Sequence, residues 1–288
     1  MSQPSSDDII KLAQQRIATR EERVDQERAV RDLPWRYAFW GLLGVLLAGL
    51  LFWPSLPLQW KLYAAVHGVC AQIHNVNIGG LQLPICARNT GIYSSFLLSS
   101  VVLLAFGRKR AARLPPWPIT AVLVVFVIIL GLDGFNSMAL DAGMPTLYQP
   151  HNEIRTITGV GLGISIAVMI TLILNMSLRR DADHELPVIK NWLELGGLVL
   201  LNLLVVAAMY GNLTFMYWPI AIIAWLGITG TLYCVNILVS ALLMGYENRV
   251  VRLGQLVKPA TIAIVLTGIE LGLLATARFY LEGQGMLG

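Results

Sequence analysis

Seven long apolar runs dominate this sequence, and they leave it few folds to choose from. They cover residues 37–58, 91–106, 119–140, 157–178, 192–210, 217–243 and 260–280. A helix that crosses a bilayer needs about 20 mostly apolar residues. The runs are continuous, whereas barrel strands alternate apolar and polar residues over about ten positions. The expected fold is therefore all-α, a polytopic transmembrane helix bundle of about seven spans. Composition agrees, with 56% hydrophobic and 13% charged residues, against about 25% charge in an ordinary soluble domain. Soluble globular, collagen-like and disordered chains are excluded.

Charge gives the orientation. Seven basic and seven acidic residues fall in the first 36 positions, before any apolar run. That start does not read as a cleavable signal peptide, so the first run is expected to stay as an anchor. Basic residues gather in 107–118 (Arg108, Lys109, Arg110, Arg113), 179–191 (Arg179, Arg180, Lys190) and 244–259 (Arg249, Arg252, Lys258). The other side holds only Lys61, Arg88, Arg155 and Arg278, the last near the end of the seventh run. The positive-inside rule then sets the N-terminus inside and, after seven crossings, the C-terminus outside. Three regions are expected: a charged helical cytoplasmic arm at 1–36, a four-span core at 37–178, and a three-span extension at 179–288. The arm lacks Pro and Gly from 8 to 32 and carries a thin stripe of Ile10, Ala13, Ile17 and Val24. It reads as a solvated helix or as a docking helix for a partner subunit.

Residues 59–90 are too long for a turn and too polar to span. Residues 60–69 read as an interfacial helix, and Gly79-Gly80 as a turn where positive φ is cheap. Two of the three cysteines, Cys70 and Cys86, lie here, on the expected oxidising side. A disulfide between them is one reading, worth about 3 kcal/mol by loop entropy. Two free buried thiols, or metal ligation with His67 and His74, are the others. The spacing His67-x2-Cys70-x3-His74 allows one helix face to present three ligands. Cys234 reads as a small buried hydrophobe.

A carboxylate in lipid costs roughly 2.5–3.5 kcal/mol on insertion scales, so Asp133 in the third run should face protein and have a partner. Arg155, just before the fourth run, is the expected one, with Asn152 nearby and Arg88 able to join. Either the group clamps helices together or it forms a ligand, ion or proton site. Gly159 and Gly163 are expected to allow close helix contact. Glu194 lies near the inner end of the fifth run. Glu270, mid-way along the seventh, is either a hydrogen-bonded group served by Asn136, Asn202 or Asn236, or a buried proton or ligand site. Nucleotide, zinc-protease and serine-hydrolase motifs do not occur.

Four stretches carry a resemblance. They are Cys70-Ala71-Gln72, Leu83-Pro84-Ile85-Cys86-Ala87-Arg88-Asn89-Thr90-Gly91-Ile92-Tyr93, Leu132-Asp133-Gly134, and Asn152-Glu153-Ile154-Arg155-Thr156-Ile157-Thr158-Gly159. Together, over about 60–165, they resemble a family of uncharacterised bacterial and archaeal integral membrane proteins. That family has Cys-His-Gln, then Pro-x-Cys-x-Arg-Cys-x-Gly-Ile-Tyr, Asp-Gly and Asn-x-x-Arg-x-x-Thr-Gly. Here Ala71 stands at the family's histidine and Asn89 at its second cysteine. The resemblance implies a four-ligand zinc or redox site of which two members are lost. It also implies a bacterial or archaeal cytoplasmic membrane.

The sequence requires no cofactor, and its partners are expected to be the lipid bilayer and other membrane subunits, with no nucleic acid. The leading expectation is a non-catalytic accessory or scaffold subunit of a larger membrane complex, with an energy-transducing complex as one candidate. The alternatives are a small-solute, ion or proton transporter using Asp133, Arg155 and Glu270, and a thiol or metal protein centred on Cys70 and Cys86.

Overall fold

The computed structural model describes residues 31–70, 74–211 and 213–285, with six isolated helical positions between 12 and 23. The stripe residues Ile10, Ala13, Ile17 and Val24, and Ala71 of the cysteine motif, lie outside the described residues.

Helix α1 spans Leu33–Phe52. Pro34 sits in its first turn, where a missing N–H costs nothing. The run was expected to continue to Leu58. It stops at Phe52 because Pro54 and Pro57 can neither donate backbone bonds nor tolerate a preceding helical turn. Lys61 Nζ reaches back to the Leu50 carbonyl at 3.0 Å, neutralising an orphan acceptor at that helix end. No residue of α1 is buried.

Helix α2, Leu58–Val66, continues into a single 3-10 turn at His67–Val69. Strands β1 (Asn77–Ile78) and β2 (Leu81–Gln82) then form a hairpin. Its two-residue loop is Gly79-Gly80, at φ +58° and +82°, the conformation that such a tight loop demands.

The remaining long helices are α3 (Ala87–Ala105), α4 (Trp117–Asp141), α5 (Asn152–Leu178), α6 (Trp192–Tyr210), α7 (Tyr217–Leu243) and α8 (Val257–Gly283). Among the described residues, six helices are long and apolar enough to cross a membrane: α1 and α4 to α8. The chain is a multi-pass membrane protein. Helix α3 is the exception, and its setting explains why. It packs against α5, α6 and α7. Thr90, Ser94, Ser95 and Ser99 are buried on it. Each hydroxyl bonds a backbone carbonyl or a neighbouring side chain. Residues 87–100 of α3 are covered by neighbouring helices, where hydroxyls also find partners across helices, while Val101 and Leu104 are exposed.

The α3–α5 crossing depends on glycine, as Gly159 and Gly163 had suggested. A Cβ on Gly159 would lie 2.4 Å from the Arg88 carbonyl oxygen, and one on Gly163 would lie 2.1 Å from that of Ile92. Gly91 faces the Thr156 carbonyl in the same way, at 2.2 Å.

The three basic loops meet at one end of the bundle. Strand β3 (Ala111–Arg113) pairs in parallel with β4 (Asp183–Pro187). Arg180 N donates to the Val250 carbonyl at 2.9 Å, and Asn248 N to that of Ser177 at 3.0 Å. Glu194 accepts from buried Arg108 and from Lys190 N, while Asn191 caps α6 through Glu194 N at 3.0 Å. Asn175 Nδ2 ties α5 to the carbonyls of Arg108 and Ala111.

Candidate functional site

The opposite end of α3, α4 and α5 holds a compact polar cluster. Asp133, 1% exposed, comes from the last third of α4. Ser137 lies one turn beyond it on the same face. Arg88 comes from the first turn of α3, and Arg155 from the first turn of α5. The tight glycine crossing brings those two first turns together.

Arg88, not Arg155, is the ion-pair partner of Asp133. Its Nη2 lies 2.6 Å and its Nε 3.1 Å from Asp133 Oδ2. Nη2 also donates to Ser137 Oγ at 2.8 Å and to the Asp133 carbonyl at 3.2 Å. The Tyr148 hydroxyl donates to Asp133 Oδ1 at 2.5 Å, and Thr158 Oγ1 lies 3.4 Å from Oδ2. The expected Asp133–Arg155 pair is therefore corrected. Arg155 sits beside the pair, with Nη1 donating to Asn152 Oδ1 at 3.1 Å and Nε to Ser137 Oγ at 3.4 Å. Chain proximity to α4 favoured Arg155, but depth and helix crossing favour Arg88. Arg155 is 4% exposed, and its Nη2 has no hydrogen-bond partner among the described residues.

Two neighbours fix the surrounding loops. Asn136 takes Leu147 N on Oδ1 and donates Nδ2 to the Tyr148 carbonyl, pinning Tyr148 above Asp133. Asn152 Nδ2 donates to the Asn75 carbonyl at 3.2 Å, fastening the 59–90 segment to α5. Burial and the hydrogen bond to Asp133 push the Tyr148 phenol up to about 12.

The cysteines meet. Cys86 caps α3 and hydrogen-bonds to Cys70 at the end of the 3-10 turn. Among the described residues neither takes part in a disulfide. That hydrogen bond and burial push the Cys86 thiol well up, so it is a poor thiolate donor.

The histidines do not join them. His67 Nε2 lies 2.8 Å from Glu282 Oε2 on α8, and its ring stacks on Phe279 at 4.2 Å between centroids. His74 Nε2 lies 3.5 Å from Asp141. Burial, then the charge of Arg155, hold the His74 imidazole below its usual range. The four ligand candidates are thus not gathered, and among the described residues no three of His, Cys, Asp and Glu form a group that could hold a metal. The helical spacing of His67, Cys70 and His74 is lost because α2 ends before His67.

Glu270 lies on α8, apart from this network in the chain, and accepts from Asn236 Nδ2 on α7 at 2.8 Å. Asn236 also reaches Thr267 at 3.1 Å. Of the three asparagines offered for that role, Asn136 serves the 147–148 loop and Asn202 bonds Ser99 and the Leu198 carbonyl.

Residues 70–169 match the family described as predicted membrane protein (DUF2085). No curated protein and no solved structure matches the chain. The DUF2085 match covers about a third of the chain and contains every motif stretch noted in the sequence. It also contains nearly the whole polar cluster: Cys70, His74, Cys86, Arg88, Asp133, Ser137, Tyr148, Asn152 and Arg155.

Sequence reasoning missed Ser137, Tyr148 and Glu282. Ser137 was findable from its i+4 spacing to Asp133. Tyr148 and Glu282 were not, since a loop fold and a distant helix bring them in.

Proposed function

We propose that this chain is a non-catalytic scaffold or accessory subunit of a larger membrane complex. The observation that carries this reading is how Asp133 is used. Both its oxygens are taken by Arg88, Tyr148 and Thr158, so the one buried carboxylate of the cluster joins α3, α4, α5 and the 142–151 loop. A carboxylate committed in this way serves as a clamp rather than as an acid or base. Helix α1 fits the same reading. It packs chiefly on α8 and α2, buries none of its residues, and leads in from the charged arm. It offers a partner subunit an apolar flank.

In this proposal all seven long helices cross, with α3 covered over residues 87–100. The N-terminus and the stitched basic end face the cytoplasm of a bacterium or archaeon, and the C-terminus lies outside. The support is charge: 17 of the 21 Lys and Arg residues belong to the arm and the three basic loops.

The test is gentle extraction from native membranes followed by native mass measurement. A complex of fixed stoichiometry is expected. A lone monomer or homodimer would overturn the proposal.

A second reading has its own observation, the contact between the Cys70 and Cys86 thiols. A pair so placed can close a disulfide under a thiol oxidant and form a redox-sensitive staple across the 59–90 segment. Differential alkylation of protein taken straight from membranes tests it. Blocked Cys70 and Cys86 beside a labelled Cys234 would support the staple, and three equally labelled thiols would dismiss it.

A further inference from the structure

The basic end of the bundle contains a cavity of about 410 Å³ between the start of α1 and the loop joining α7 to α8. Its lining includes Arg31, Arg249 and Lys258, with Asp32 as the one carboxylate. Three cations against one anion leave a local excess of two positive charges.

Asp32 offsets one of these charges, that of Arg31, and leaves Arg249 and Lys258 as the excess. Asp32 lies 3.9 Å from Arg31 Nε, at the outer limit of an ion pair. Lys258 Nζ sits 5.4 Å over the Trp35 ring, a cation–π contact that orients the amine and leaves its charge unneutralised. Neither Lys258 nor Arg249 has a carboxylate within 4 Å among the described residues. Gln255 spends its amide oxygen on the Val251 and Arg252 N–H groups. What it can still offer the cavity is its donor end.

Donors and cations therefore face the cavity, and an indole and a phenol, Trp35 and Tyr246, complete it. Aromatic side chains of this kind mark the headgroup level of a membrane. Basic pockets between helix ends are also where anionic lipid headgroups bind.

We infer that this cavity binds a phosphate-bearing anion. The cavity lies at the mouth of α1, whose apolar flank carries exposed Tyr37, Trp40 and Val45. Acyl chains of a phospholipid have a surface to follow there, so the headgroup of an anionic lipid is the favoured source and free phosphate the other. The inference holds whichever way the bundle faces, because it depends only on the lining.

The test uses the full chain, delipidated in a neutral detergent, with binding read by native mass spectrometry. The probes are phosphatidylglycerol, phosphatidylcholine and inorganic phosphate. Phosphatidylglycerol is expected to bind the unaltered chain at least about tenfold more tightly than phosphatidylcholine. That preference is expected to vanish in Arg249→Gln/Lys258→Gln. The Arg113→Gln control removes a charge from the same end outside the cavity and should leave it intact. Phosphate binding lost in the double variant, without a lipid preference, assigns the site to a soluble anion. Equal binding of phosphatidylglycerol and phosphate by the unaltered and double-variant chains overturns the inference. So does absence of binding, or an equal loss in Arg113→Gln. Arg249→Gln alone, at an exposed side chain, gives a second reading should the double variant not fold.

Discussion

Arg88 and Asp133 bear more structural weight than any other pair in the cluster. Removing one partner of a largely buried pair typically costs about 3–5 kcal/mol, because the other charge is stranded. Asp133→Asn is expected near the low end, since Arg88 retains some solvent contact. Thermal unfolding in detergent should show a clear drop in Tm. Arg88→Gln added to Asp133→Asn should recover part of it, and a strictly additive loss would dissolve the pair. Tyr148 supplies a pH signature. Its phenol ionises near 12 in the fold and near 10 when unfolded. The contribution is therefore fully present below pH 10 and is lost as pH rises from about 10 to about 12. Tyr148→Phe should flatten the stability profile in that window. An unchanged profile would show that the phenol does not titrate against Asp133.

Helix packing is where the sequence was most and least legible. Runs at 192–210 and 217–243 coincide with α6 and α7, because unbroken apolar stretches have no other low-energy state in lipid. Gly159 and Gly163 pointed to a close crossing by their spacing alone, though not to α3 as the partner. The end of α1 was misread, since hydropathy continued through two prolines that the backbone could not follow. The choice between Arg88 and Arg155 was hidden for a different reason. It depends on how far α3 slides along α5, which no local pattern encodes, and the β3–β4 pairing is equally non-local. The crossing itself is testable. Gly163→Ala places a methyl against the Ile92 carbonyl and Ser95 Oγ, and overpacking of this kind costs about 1–3 kcal/mol. Gly196→Ala meets nothing within 4 Å and should be neutral or mildly stabilising. Comparable losses at the two positions, measured by thermal stability, would argue against the α3–α5 contact.

For the whole molecule, the proposed orientation makes the two termini report opposite sides. A protease-cleavable tag ahead of the arm should be cut only after the membrane is permeabilised. One placed after Gly288 should be cut in intact cells, and the reverse pattern would invert the assignment. The two ends of the bundle are also held by different kinds of bond. One is laced by main-chain pairing between three loops through β3, β4, Arg180, Val250, Ser177 and Asn248. The other is joined mostly by side chains meeting at Asp133 and Ser137. Main-chain lacing spans three loops at once, whereas a side-chain knot can exchange partners one rotamer at a time. Helix α4 should accordingly swing like a single rib against the fixed α3–α5 crossing, with the pivot at the laced end and the travel at the end where Tyr148 rests on Asp133.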